Sequence, residues 1–113
     1  MHALLQRRNF QNMLEELHDI VEQIIAKYKP EKVILFGSAA CGELDPQSDV
    51  DLLIIKRDTP DFGADRIRQL SKMIKRNIPV DFLIYRPDEL EKRLIMGDPF
   101  LKMIIEEGKV LYG

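Results

Sequence analysis

Three aspartates and one glycine-serine pair are the residues of this chain whose types and spacing could do chemistry. Asp49 and Asp51 stand two apart at the mouth of an apolar run, Val50 to Ile55, and Asp81 stands near the start of another, Val80 to Ile84. In a strand successive side chains point to opposite faces, so Asp49 and Asp51 project on one side while Val50, Leu52 and Ile54 project on the other. Two unit charges about 4 Å apart repel by roughly 4 kcal/mol at an effective dielectric of 20. Such a pair favours a divalent ion or an adjacent basic group, or else takes up a proton. Lys32, Lys56 and Arg57 are the nearest bases in sequence, and strand alternation puts none of them between the two acids. A hard cation such as Mg²⁺ is the simplest neutraliser, since it is held by one or two carboxylates together with substrate phosphates.

The elements that must position these groups follow from their surroundings. Val33 to Phe36 is a short apolar run that stops at Gly37-Ser38. A glycine there lets the backbone approach a phosphate closely, and amides opening a following helical turn attract anions. For Asp81 to join Asp49 and Asp51 at one edge, its strand must lie beside and parallel to theirs. That pairing needs a crossover of a dozen or more residues, and 59–77 supplies a helix for it. Arg57 to Asp61 reads as a turn and helix start, with Phe62, Ile67, Leu70 and Ile74 as the inward face. Arg66, Arg68, Lys72, Lys75 and Arg76 read as a solvated basic face, the alternative being a surface that approaches a nucleotide or an RNA end.

Residues 13–28 repeat Leu14, Leu17, Val21, Ile24, Ile25 and Tyr28 at helical spacing, ended by Lys29-Pro30, with 1–12 as a flexible arm or frayed helix start. His18 reads as a histidine at the edge of that buried stripe, because no second ligand lies one turn away. Pro87-Asp88-Glu89 opens a short helix toward Met96-Gly97. Asp98-Pro99 is an N-cap and first-turn pair for a last helix, closing at Gly108 before a short strand at 110–112.

Composition sets limits. With 113 residues, 45% of them hydrophobic, the chain is long enough for one domain with a core, 13–113, and short for a second. A net charge of −2, with acids and bases interspersed, lacks the basic footprint of a protein that grips nucleic acid by its phosphates. The longest apolar runs fall far short of the ~20 residues that span a bilayer, and no signal-peptide pattern opens the chain. A single cysteine, Cys41, excludes an internal disulfide and suits a reducing cytoplasm. With no histidine near it in sequence, it reads as a small loop residue rather than a nucleophile.

Competing motifs fail on spacing. Counted from Asp45, the twelfth residue is Lys56 where a calcium loop needs glutamate, and Gly42 is followed by Glu43 where a P-loop needs Gly-Lys. What the residues do resemble is the DNA polymerase β nucleotidyltransferase superfamily. Gly37-Ser38, Gly42, then Ser48-Asp49-Val50-Asp51-Leu52, with a later Asp81 in a strand, look like its signature. The resemblance runs from about Val33 through the tail, Asp98-Pro99-Phe100 to Tyr112. It points to the small MNT-like branch often paired with a HEPN-domain protein.

The resemblance implies an α/β fold with a small mixed sheet of three to four strands, the first antiparallel to the second, the second and third parallel, and helices packed on it. It implies that Asp49, Asp51 and Asp81 bind two Mg²⁺ ions, with Asp81 also helping to deprotonate the acceptor, and that Gly37 and Ser38 contact the β- and γ-phosphates of ATP or another nucleoside triphosphate. In such two-metal sites the ions lie about 3.5 to 4 Å apart and stabilise both the attacking and leaving oxygens. The implied reaction moves AMP onto a hydroxyl of a HEPN-like partner, as the antitoxin-like half of a toxin-antitoxin pair. Many relatives carry arginines in the turn where this chain has Ala39 and Cys41, which favours an alternative: a weakly catalytic module that neutralises its partner by contact. A transferase acting on a small molecule such as an aminoglycoside is the third reading. The residues leave the acceptor, the base and the oligomeric state open.

Overall fold

The computed structural model describes residues 10–37, Ala40 and residues 49–113. Two helical layers sandwich one four-stranded sheet. The first helix, α1 (Phe10–Gln23), continues into a π-helical turn, Ile24–Tyr28, which ends at Lys29 in the left-handed region with its N–H donating to Ile24 O. The strands are β1 (Lys32–Phe36), β2 (Val50–Ile55), β3 (Val80–Tyr85) and β4 (Lys109–Tyr112). The other helices are α2 (Gly63–Met73), α3 (Pro87–Ile95) and α4 (Pro99–Glu107).

The strand order is β3-β2-β1-β4. β1 runs antiparallel to β2 and to β4, while β2 and β3 are parallel, joined by the crossover through α2. This is the mixed sheet expected from the sequence, with the last strand added at the margin beside β1. The alternation in β2 explains why its run is almost wholly apolar. Val50, Leu52 and Ile54 pack with Leu17, Ile20, Ile24, Leu70 and Ile74 under α1 and α2, and Leu53 and Ile55 pack with Leu90, Leu101 and Ile104 under α3 and α4. A strand covered on both faces has no solvent side to mark with polar residues.

Four local expectations shift. The buried stripe of α1 runs through Met13, Leu17, Ile20 and Ile24, and Leu14 is exposed. The helix already includes Phe10 to Asn12, which the sequence reading placed in the arm or frayed start. His18 is not at the core edge: its ring is exposed and pairs with Glu22 one turn on, at 3.1 Å. The crossover helix begins at Gly63 rather than near Pro60, with Phe62 and Ile67 exposed and Arg66 buried in the stripe with Leu70 and Ile74. Asp98 caps α4 as expected, its Oδ1 accepting the N–H groups of Phe100 (3.0 Å) and Leu101 (3.1 Å). At the exit of α4 a Cβ on Gly108 would meet Ile104 O at 2.5 Å and Ile34 Cγ2 at 2.7 Å, so only glycine lets β4 turn in so tightly against β1.

Candidate active site

Parallel register puts Asp81 of β3 directly beside Asp51 of β2, and antiparallel register puts Phe36 of β1 on Asp51's other flank. Residues paired in register project on the same face, so Asp51 stands between Phe36 and Asp81 on the α3/α4 side of the sheet. Asp49, one residue ahead of β2, is exposed; Asp51 is half-buried; Asp81 is exposed. The carboxyl of Asp51 is held above the usual carboxylate range, by burial first, then by the charge of Asp81 and then by that of Asp49. Register thus sets Asp81 beside Asp51 at one rim, with Asp49 one residue ahead of β2 at the same end of the strand.

Gly37 forms the wall of this rim. It follows β1 with φ +79°, a region L side chains rarely enter, and a Cβ there would lie 2.5 Å from Asp51 Oδ2. Glycine is therefore required twice over, for the turn and for room beside the carboxylate. Gly37 O accepts the N–H of Ala40 (3.2 Å), and Ala40 is buried in the α1/α2 core. Ser38, Ala39, Cys41, Gly42 and Ser48 lie outside the described residues, so the expected phosphate contact of Ser38 does too.

The donor set fits a hard divalent cation: oxygen ligands only, with burial and then the charges of Asp81 and Asp49 opposing the ionised form of Asp51. Among the described residues no group of three or more acid, histidine or cysteine side chains comes together closely enough to hold a metal ion by itself. Mg²⁺ does not need one, because it is usually bound by one or two carboxylates plus waters and phosphate oxygens rather than by an all-protein cage.

The sequence reading missed a second polar centre, near the other end of β3. Arg66, buried, reaches around the edge of the sheet from α2 to α3. Its Nη1 and Nη2 donate to Glu89 Oε1 (2.7 Å) and Oε2 (2.9 Å), Nη1 also to Ile84 O (3.1 Å), Nη2 to Asp61 O (3.1 Å), and Nε to Pro60 O (2.5 Å). Glu89 Oε1 also accepts the N–H of Arg86 (2.8 Å). Hydrogen bonding to Arg66 leads the causes that pull the Glu89 carboxyl down to about 2. The available signal was spacing: 62, 66, 70 and 74 step by four, so Arg66 occupies a place in the buried stripe.

The class of protein is that of the nucleotidyltransferases: the chain belongs to the nucleotidyltransferase domain family, whose model matches residues 14–112 and so takes in the mixed sheet, the glycine turn and all three acids. Its similarities extend to proteins of Methanocaldococcus jannaschii provisionally named as protein adenylyltransferases. MJ0604 is 28% identical over 103 residues, spanning 89% of this chain and 99% of that protein. MJ1305 is 28% identical over 107 residues, 85% of this chain and 71% of that protein. A crystal structure from Sulfolobus solfataricus, provisionally named a nucleotidyltransferase, superposes with a TM-score of 0.55 at 29% identity, covering 71% of this chain and 72% of that one.

Proposed function

We propose that this chain is a Mg²⁺-dependent adenylyltransferase that moves AMP from ATP onto a hydroxyl of a partner protein, as the antitoxin-like half of a pair whose other member is a HEPN-type protein. The observation that supports it is the rim itself, where Asp49, Asp51 and Asp81 share one edge against Gly37. Asp49, Asp51 and Asp81 would hold the metal. When bound, it neutralises the triphosphate and stabilises both the attacking and the leaving oxygen of an in-line displacement. Gly37 lets the backbone come close to the phosphates, with Ser38 beside it. Asp81, exposed and on the outer flank, accepts the proton of the acceptor hydroxyl. The acceptor oxygen bonds to the α-phosphorus as the bond to the bridging oxygen breaks, and pyrophosphate leaves.

Two features support a protein as acceptor. The provisional names of the M. jannaschii relatives carry that substrate. Leu83, two residues beyond Asp81 on the same face, lines a groove of about 520 Å³ that runs toward the Arg66–Glu89 end of β3, with Lys92 and Arg93 of α3 and Met96 just beyond it on the other wall, room for a polypeptide segment. No helix among the described residues is long and apolar enough to cross a membrane, and the single cysteine suits the cytoplasmic setting that belongs to this proposal.

The test incubates the protein with Mg²⁺, ATP labelled at the α-phosphate and the candidate partner. Label is expected on the partner and is lost with Asp49→Ala plus Asp51→Ala. Label on a small hydroxylated product instead would point to the aminoglycoside-type reading. A partner silenced without label would point to neutralisation by contact.

A further inference from the structure

The acids are flanked by two aromatic rings to which the reaction above gives no task. Phe36 stands beside Asp51 on the same face of the sheet. Phe100, in the first turn of α4, sets its ring edge-to-face on Phe36, with centroids 5.9 Å apart and planes at 82°. Phe100 nevertheless stays 49% exposed, although the cap at Asp98 fixes the turn that carries it. Across the sheet the order is Phe36, Asp51, Asp81, with Phe100 reaching Phe36 from the helix packed on that face.

The other rings whose side chains are described lie elsewhere. Tyr28 is buried against Thr59, 2.9 Å between hydroxyls. Phe82 packs in the α1/α2 core under the Arg76 guanidinium. Tyr85 ends β3, Tyr112 pairs with Val33 at the far end of β1, and Phe62 accepts hydrogen bonds from Asp65 and Arg66 beside the buried arginine. Among the described rings, Phe36 is the one paired in register with Asp51, and Phe100 is the one that touches it.

We infer that Phe100, supported from beneath by Phe36, is the surface on which the base of the nucleoside triphosphate stacks. The inference rests on the nucleotide reading above and adds an orientation to it: base and phosphates lie on the β1 side of the acids, where Gly37 follows Phe36, and the acceptor comes in from the Asp81 side. Stacking on an aromatic face tolerates any base, so the ligand class is a nucleoside triphosphate, with purines favoured by their larger ring.

The comparison that tests this is ATP against inorganic tripolyphosphate, which has no base, each titrated calorimetrically with Mg²⁺. The wild type is expected to bind ATP tighter than tripolyphosphate by about tenfold or more. Phe100→Leu, which keeps an apolar side chain on a half-exposed site, is expected to erase that difference by weakening ATP alone. Phe100→Trp is expected to keep it. The chain has no tryptophan of its own, so the F100W fluorophore gives a second reading, quenched by ATP and not by tripolyphosphate. The inference is overturned by a wild type with no preference for ATP, by F100L that keeps the preference or weakens both ligands alike, or by F100W fluorescence that ATP leaves unchanged. A protein that shows the Phe100-dependent preference and yet labels no acceptor would refute the proposed reaction while leaving the stacking surface in place.

Discussion

β3 carries charge at both ends, on opposite plans. At its start, Asp81 lies in register beside Asp51, whose ionisation is opposed by burial first and then by the charges of Asp81 and Asp49. Toward its end, Arg66 and Glu89 are opposite charges joined by two parallel hydrogen bonds, with further donors of Arg66 taken up by backbone carbonyls. Every bond in the second centre is satisfied from within the chain, and it ties the helices on the two faces of the sheet together. In the first centre every influence on Asp51 from the described residues, burial and then the charges of Asp81 and Asp49, acts against its ionised form. A folded domain keeps such an arrangement at some cost in stability, and the difference between the two ends separates a structural polar cluster from a chemical one.

The comparison can be broken at several points. The largest effect is expected from Asp49→Ala plus Asp51→Ala, which should lower AMP transfer by about 10²-fold or more while the protein stays folded, read from label transfer and circular dichroism. At the other end Arg66→Ala should cost about 3 to 5 kcal/mol in urea unfolding, because it strands Glu89 and the carbonyls that Arg66 serves. If Arg66→Ala leaves stability intact, the structural reading of that centre fails. Gly37→Ala should impair transfer by pushing the Asp51 carboxylate aside and should cost roughly 1 kcal/mol or more for its left-handed backbone.

Smaller effects concern ionisation. Asp51 has its pKa raised in the fold, so its ionised form opposes folding at neutral pH and that penalty is absent below the unfolded value of 3.8. Asp51→Asn should therefore raise the melting temperature at pH 7 by a few degrees while abolishing transfer; a lower melting temperature would contradict the account of the rim. Glu89 has its pKa lowered from 4.5 to about 2, so its contribution is full above 4.5 and lost as pH falls through about 2. Acid titration of Glu89→Gln should show a shallower loss of stability in that window than the wild type.

The sheet and its three acids were legible because local signals agreed. Alternation at Asp49 and Asp51, the apolar run through Val80 and the length of the crossover were all compatible with parallel strands, and the register of Asp51 with Asp81 realises that arrangement. The Asp98-Pro99 cap was legible for the same reason, since its partners are the next two N–H groups. Arg66 was not, because its partner lies 23 residues away and a basic residue among Arg68, Lys72 and Lys75 looks solvated until the step of four from Arg66 to Leu70 is given weight. His18 misled in the opposite direction, being next to a stripe whose true members, Met13 and Ile20, turn the helix so that the ring faces solvent beside Glu22. Phe100 carried no sequence signal of its own, since what distinguishes it is a contact with Phe36 across 64 positions of chain.

The two margins of the sheet are unequal. By occupying the carbonyl of Ile84, Arg66 interrupts the ladder that β3 would offer a newcomer, and edges blunted in this way resist strand addition. Among the described residues β4 has no such guard: all four of its residues are open to solvent, three of them large and apolar. Growth of this sheet by an added strand, whether into an ordered assembly or an unwanted fibre, therefore has one favoured direction, outward from residues 109–112.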